Sequence, residues 1–162
     1  MVPLGIRMSS GIQLAAGAGE LRLQSADPSV QPFLDYRYLE EDVDRDRLRE
    51  TVRICVALGE DPAFNDIIAE RMEPTDAELA SDEALDEFLY REVSTSQHIS
   101  CTCKMGLESD PMAVVSQFGK VHGLEGLRVV DASIMPDCIR ANTNVTTMMI
   151  GERVAEWIKQ GK

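Results

Sequence analysis

Two histidines, His98 and His122, are the chain's candidates for proton transfer near neutral pH. His98 opens the segment H-I-S-C-T-C-K-M-G, which we predict to be a loop or a short extended stretch. Such a histidine can serve as a general base, and it can equally be a structural hydrogen-bonding side chain. The local sequence leaves both interpretations open. His122 precedes Gly123 at a predicted turn, and we interpret it as structural.

The segment after His98 contains a C-x-C pair, Cys101 and Cys103, and Cys138 follows later in the chain. These thiols and the histidines make a metal site one alternative. Zinc sites, however, prefer about two to four residues between paired cysteines and need about four ligands. A redox role for the C-x-C pair lacks a second redox signature. We therefore predict no metal site. The cysteines are too few and too unevenly spaced for a disulfide framework, so we expect reduced thiols in a cytoplasmic protein.

Asn142, Thr143 and Asn144 form a polar N-T-N that precedes a helical pattern. Asparagine and threonine are good N-cap residues, so capping explains their position. The same helix start also offers free backbone amides and the positive end of the helix dipole, which together form an anion-binding corner. From the spacing alone, capping by Thr143 and Asn144 is the interpretation that we prefer.

The periodicity of the chain predicts an α+β domain that positions these residues. Alternating apolar and polar residues predict strands near 20–26 and 33–39, which we expect to pair in a largely antiparallel or mixed sheet covered by helices. A buried strand, Leu127–Val130, is expected to end at Asp131. Helical spacing and capping residues predict helices near 42–58, 62–70, 82–93 and 144–159.

Length and charge limit the class of protein. A chain of 162 residues with 44% hydrophobic residues predicts one globular domain, residues 1–162. The net charge of −12 argues against a nucleic-acid partner, because phosphate binding needs clusters of Lys and Arg. No apolar run approaches the roughly 18–20 residues of a transmembrane segment. Acids of the first predicted helix, such as Asp44 and Asp46, are expected to face water.

Several motifs follow one another along the second half of the chain. They read H-x-x-C-T-C-x-M-G, D-P-x-A-V-V, V-H-G-x-x-G-L-R-V-V-D-A-S-x-M-P, N-T-N and M-I-G-E-R. In this order they resemble the C-terminal region of the glucose–methanol–choline (GMC) oxidoreductases, in particular the choline-dehydrogenase-like branch. The resemblance is dense over residues 98–158 and extends more loosely to about residue 20. It implies the substrate domain of an FAD-dependent oxidoreductase that acts on alcohols.

The resemblance also implies roles for individual residues. His98 corresponds to the active-site histidine, and Asn144 to a second active-site residue that is histidine or asparagine in the family. His98 would take the hydroxyl proton of a small-molecule alcohol, and Asn144 would hold the substrate oxygen, while hydride passes to flavin N5. The residues expected beside the flavin are Asp131, Ala132, Asn142, Thr143 and Val145.

Cys101 departs from the family pattern, because the family usually has glycine before T-C. The backbone at Cys101 must therefore either tolerate a side chain or follow a different path. The phosphate-binding fingerprint G-x-G-x-x-G is also missing from the sequence. We expect the FAD-binding domain to be another part of the same polypeptide, and this chain alone to retain little FAD and to be inactive.

The last predicted helix would pack on that FAD-binding domain. An exposed apolar surface is then expected on this chain, and it offers a route to homo-oligomers. Two alternatives stay open. The chain could be a non-catalytic interaction module of the same shape, or a metal-binding domain that uses its cysteines and histidines.

Overall fold

The computed structural model describes residues 5–162 and divides into two compact units. The first unit ends at Ser94, and the second unit is Thr95–Lys162. The single domain expected from the sequence stays a prediction. Within the described range, no helix is both long enough and apolar enough to cross a bilayer.

A small antiparallel sheet lies near the start of the first unit. It consists of β1 (Glu20–Arg22) and β2 (Phe33–Asp35), with Leu21 opposite Leu34. The predicted antiparallel pair is confirmed, but each strand has only 3 residues. Both leucines remain exposed, and without a buried face little stabilises a longer strand pair. The α+β class is confirmed with a sheet smaller than expected.

Two helices build the core of the first unit. They are α1 (Asp42–Gly59) and α2 (Asp82–Glu92), close to their predicted ranges. Arg49 of α1 reaches both carboxylate oxygens of Asp86 at 2.7 Å, and the side chain of Ser81 caps α2. The buried side chains between and beside these helices are Leu39, Val52, Leu85 and Leu89.

The helix predicted near 62–70 is wrong. Only one 3-10 turn forms, Pro62–Phe64, and it begins as expected with the Asp61 carboxylate accepting the N–H of Ala63. The chain then continues in turns, and Ile67 is 65% exposed. A short helix is marginal without an apolar face to bury, so a correct N-terminal signal does not suffice here.

The second unit is built around α3 (Asn144–Lys159), as predicted for this range. Ile150 and Val154 of α3 enter a core that also contains Val115, Ile134 and Met135. The remaining chain is mostly irregular, with isolated bridges and a 3-10 turn at 132–134. The expected exposed apolar surface is present at the start of α3, and it consists of Val145, Met148 and Met149.

The strand predicted at Leu127–Val130 is wrong. An isolated bridge between Arg128 and Lys120, single backbone hydrogen bonds and a side-chain bond from Arg128 to the carbonyl of Phe118 hold this segment. The N–H of Val129, for example, donates to the carbonyl of Gly119 at 2.9 Å. Gly119 has a φ of +72°, and a Cβ there would lie 2.7 Å from the Val129 oxygen. Leu127 is 50% exposed and Val129 and Val130 are only partly buried, so the run is held by a glycine turn and does not form a buried strand.

Asp44 does not face water as expected from the helical pattern. Its side chain is buried, with the residue 3% exposed, and it accepts the backbone N–H groups of Ala16 and Gly17 at 3.0 and 2.8 Å. Arg47, one turn later, donates to Asp44 and to the carbonyl of Gln13. The segment before β1 is thus fastened to α1 by one buried carboxylate. The helical period could not reveal this, because the partners come from outside the helix.

Replacing Asp44 by alanine should lower the free energy of unfolding by about 1–3 kcal/mol, because two backbone donors lose their acceptor. Urea denaturation followed by circular dichroism measures the loss. Asp46→Ala is the matched control, since the Asp46 side chain is 64% exposed on the same helix. It should change stability by less than about 0.5 kcal/mol. Equal effects of the two substitutions would contradict the anchoring role of Asp44.

Candidate active site

The imidazole of His98 lies against the start of α3. Its Nε2 is 3.1 Å from Nδ2 of Asn142, and its Nδ1 is 3.4 Å from Oγ1 of Thr143. These partners are 44 and 45 residues away in sequence. Of the residues predicted for the site, the structure therefore brings His98, Asn142 and Thr143 into direct contact.

The amide of Asn142 has an orientation that its hydrogen bonds determine. The backbone N–H of Asn144 donates to Oδ1 of Asn142 at 3.0 Å. An N–H group can meet only an acceptor, so the other end of the amide, Nδ2, must face His98. Nδ2 is a donor, and the Nε2 of His98 must accept its hydrogen. The ring hydrogen of the neutral imidazole is thereby assigned to Nδ1, which can donate to Thr143.

Thr143 does not cap α3 as predicted. It occupies the N-cap position, but its side chain makes no capping hydrogen bond and turns to His98 instead. Asn142 supplies a single bond to the backbone of Asn144, the first residue of the helix. The following residue, Val145, is 75% exposed. After Asn144, the N–H groups of Val145 and Thr146 in the first turn of α3 have no side-chain acceptor among residues 5–162.

Asn144 is exposed, and its side chain makes no hydrogen bond to His98 within the described range. The two residues are linked through Asn142, which bonds to the His98 ring and to the Asn144 backbone. The catalytic pairing of His98 with Asn144 stays a prediction. The sequence placed Asn142 in a helix-capping segment and beside a flavin, but it did not predict the contact with His98. An asparagine side chain that accepts the backbone N–H two residues later is a common turn, and this is the turn that Asn142 makes.

The turn at Asp131 and Ala132 lies along the segment that follows His98. The Asp131 carboxylate accepts the N–H and the hydroxyl of Ser133 at 2.8 and 2.5 Å, which closes the turn. The Ala132 carbonyl accepts the N–H of Cys101 at 3.3 Å. The two motifs are therefore neighbours in space. The expected contact of Asp131 and Ala132 with a flavin stays a prediction.

The backbone at Cys101 shows how this chain accommodates a side chain where the family usually has glycine. Its φ is +71°, the left-handed region that glycine adopts freely, so the backbone follows a glycine-like path and tolerates the side chain. The Cys101 sulfur lies 3.6 Å from Sγ of Cys138. Burial raises the pKa of the Cys101 thiol, because the charged thiolate loses hydration.

His122 takes a structural position, as interpreted from the sequence. Its Nε2 lies 3.2 Å from the carbonyl of Gly106, a bond that the ring must donate. Within residues 5–162, no group of three or more His, Cys, Asp or Glu side chains is arranged to hold a metal ion.

A family model described as GMC oxidoreductase, covering the C-terminal part of that family, matches residues 15–151. The chain belongs to the GMC oxidoreductase family. The matched range includes the sheet, α1, α2 and the residues around His98. The family expected from the motifs is confirmed.

Individual GMC relatives support the same assignment. The chain is 41% identical over 155 residues to an oxygen-dependent choline dehydrogenase of Escherichia coli, which confirms the choline-dehydrogenase-like resemblance. This match covers 96% of the chain and 27% of the relative. The chain thus spans about a quarter of the length of the curated relatives that it matches.

Solved GMC-type structures share the fold. Pyridoxine 4-oxidase from Mesorbium loti superposes with a TM-score of 0.80 at 27% identity, over 93% of this chain and 29% of that one. A formate oxidase variant from Aspergillus oryzae gives 0.80 at 29% identity, over 91% and 25%. A fungal aryl-alcohol oxidase gives 0.68 at 36% identity, over 86% and 24%.

Replacing Asn142 by aspartate should move the ring hydrogen of His98 from Nδ1 to Nε2. In the unchanged chain, Nε2 of His98 accepts a hydrogen from the Asn142 amide. An aspartate carboxylate has only acceptor atoms, so Nε2 would have to carry a hydrogen and donate it. Proton–nitrogen correlation spectra of the histidine rings report the change, and the chain has only two histidines to assign. Asn144→Asp is the control with the same change of charge, and it should leave the His98 signals in place. An unchanged His98 tautomer in Asn142→Asp would contradict the assigned amide orientation.

Proposed function

We propose that this chain is the substrate-side portion of an FAD-dependent oxidoreductase that acts on alcohols, with His98 as the base. The observation that carries the proposal is the environment of His98. Its Nε2 lone pair is aligned by the Asn142 amide, beside the start of α3, where the side chain of Thr143 makes no capping hydrogen bond. Choline is the first alcohol to test, because choline dehydrogenases are among the relatives.

The start of α3 suits an electron-rich flavin ring. Its uncapped N–H groups and the positive end of the helix dipole favour negative charge nearby. Asn142, Thr143 and the backbone of Val145 would hold the ring from this side, and the turn of Asp131 and Ala132 would border it. When bound, the flavin supplies the acceptor for a hydride from the alcohol carbon.

His98 receives the proton in this proposal. A substrate hydroxyl that displaces the Asn142 amide from Nε2 can donate its hydrogen to the same lone pair. The Nδ1 hydrogen stays directed at Thr143, which keeps the ring oriented during the transfer. Asn144 is exposed at the first position of α3, where its carboxamide can hold the substrate oxygen.

The proposal includes an FAD-binding portion that packs on α3. Val145, Met148 and Met149 are 75%, 64% and 55% exposed there, and such an apolar surface favours coverage by a partner. The free cysteines of the described residues fit a reducing compartment, so we place the protein in the cytoplasm. Association of two copies through the same surface remains a separate prediction.

A chimera tests the role of His98. In it, this chain replaces the aligned part of the Escherichia coli choline dehydrogenase. We expect choline to reduce the FAD of the chimera under anaerobic conditions, measured by stopped-flow absorbance. His98→Ala should slow this reduction by about 10²–10⁴-fold, the usual contribution of a general base. His122→Asn is the control and should keep most of the rate, since His122 bonds to Gly106 away from the His98 ring.

A chimera that retains FAD but is reduced by neither choline nor other alcohols would contradict the proposed reaction and favour a non-catalytic interaction module. Equal rates in His98→Ala and in the unchanged chimera would contradict His98 as the base. Bound FAD, read from the visible absorbance, is the criterion that every variant must meet before its rate is compared.

The chain by itself should retain little or no FAD, because the residues assigned here to the flavin would hold it only together with an FAD-binding portion. Incubation with FAD followed by gel filtration and absorbance measures the retained cofactor. The chimera, treated in the same way, is the positive control. Stoichiometric FAD on the isolated chain would overturn the division into two portions.

A further inference from the structure

Cys101 and Cys138 are the two thiols of the second unit that lie close together. Their sulfurs are 3.6 Å apart, although the residues are separated by 37 positions in sequence. The hydroxyl of Ser100 lies beside both sulfurs, at 3.4 Å from Cys101 and 3.5 Å from Cys138. The reaction proposed for His98 uses neither of these two thiols.

The two sulfurs are in contact but are not bonded. A sulfur–sulfur bond is about 2.05 Å long, so the sulfurs must approach by about 1.5 Å. Cys138 is exposed, and it follows a bend at 136–137, outside any helix or strand. Closure therefore requires the exposed Cys138 side chain to move towards Cys101. Cys103, two residues after Cys101, makes no such contact with another sulfur in the described range.

We propose that Cys101 and Cys138 form a reversible redox pair that a low-molecular-weight disulfide, such as oxidised glutathione, converts into an intrachain disulfide. This inference goes beyond the proposed function and does not depend on it. A second copy of the chain or a metal is not required.

The reaction proceeds by two thiol–disulfide exchanges. The exposed Cys138 thiolate attacks one sulfur of the small disulfide, whose S–S bond breaks and releases one thiolate. Cys101 then loses its proton and attacks Sγ of Cys138, which forms the intrachain bond and expels the second thiolate. Two protein thiols are oxidised, and one small disulfide is reduced to two thiols. Burial raises the pKa of the Cys101 thiol, so the exposed Cys138 makes the first attack. Cys101 acts only in the second step, where its sulfur already lies 3.6 Å from Sγ of Cys138.

The disulfide would join the two segments that carry the candidate active site. Cys101 follows His98 by three positions, and Cys138 precedes Asn142 by four. At present the side chains of Asn142 and Thr143 link these segments through their contacts with the His98 ring. A covalent bond would restrict how far the Asn142 amide can withdraw from Nε2. Oxidation is therefore expected to alter the His98 environment as well as the thiols.

Oxidation of the full chain by oxidised glutathione tests the pair. After oxidation, only two of the four thiols should still react with an alkylating reagent, and reduction with dithiothreitol should restore the reactivity of the other two. Trypsin then yields a linked pair of peptides, 92–104 and 129–140, identified by mass spectrometry without reduction. The first peptide contains both Cys101 and Cys103, so Cys103→Ser shows which of them forms the bond. This variant should still give the linked pair. Cys138→Ser should lose it.

Cys101→Gly is the second variant, because glycine adopts the φ of +71° without strain and the fold is kept. It should also lose the linked peptides. The ring signals of His98 should shift on oxidation of the unchanged chain and not in Cys138→Ser. A linked peptide through Cys103, or stable glutathione on Cys138 without closure, would overturn the pair. So would four alkylatable thiols after oxidation.

Discussion

Three backbone hydrogen bonds hold the second unit together around its candidate site. The N–H groups of Cys101, Cys103 and Met105 donate to the carbonyls of three consecutive residues, 132–134, at 3.3, 2.9 and 2.9 Å. They satisfy groups that a largely irregular chain would otherwise bury unpaired. They also fix Ile134 in the core while His98, on the other side of Cys101, reaches the start of α3. The site therefore depends on two loops, 101–105 and 132–134, which are paired by backbone hydrogen bonds and anchored in the core by Ile134.

The Asn142 amide explains why an asparagine suits this position. Its oxygen accepts the N–H of Asn144, and its nitrogen donates to the ring of His98. Aspartate has no donor for the ring nitrogen, and a hydroxyl cannot reach in two opposite directions from one short side chain. One amide thus determines both the start of the helix and the ring nitrogen that carries the lone pair. Asn142 and Thr143, at the start of α3, therefore orient the His98 ring as well as begin the helix.

Local periodicity predicted the parts of the fold that bury a face. α1, α2 and α3 were each predicted to within a few residues, because their apolar spacing matches a real core. The segment 62–70 has helical spacing with no core to bury it, and 127–130 is apolar without a neighbouring strand. Asp44 looked solvated because its partners come from a distant loop. In the site, the motifs pointed to His98, Asn142 and Thr143, which the structure brings into contact, and their roles in a reaction stay predictions. The contact of His98 with Asn142 depends on an amide orientation that no sequence pattern encodes.

Backbone conformation alone does not explain the side chain at Cys101. A left-handed conformation costs an ordinary residue about 1–2 kcal/mol, and glycine would avoid that cost. Leu14, Arg37, Leu39 and Gln97 adopt positive φ as well, so this chain tolerates several such positions. What distinguishes Cys101 is the second sulfur 3.6 Å away. A lone cysteine at a strained turn would be a tolerated substitution. Here two thiols face each other on the segments that carry His98 and Asn142. The proposed disulfide would give a reason for a cysteine at this strained backbone position.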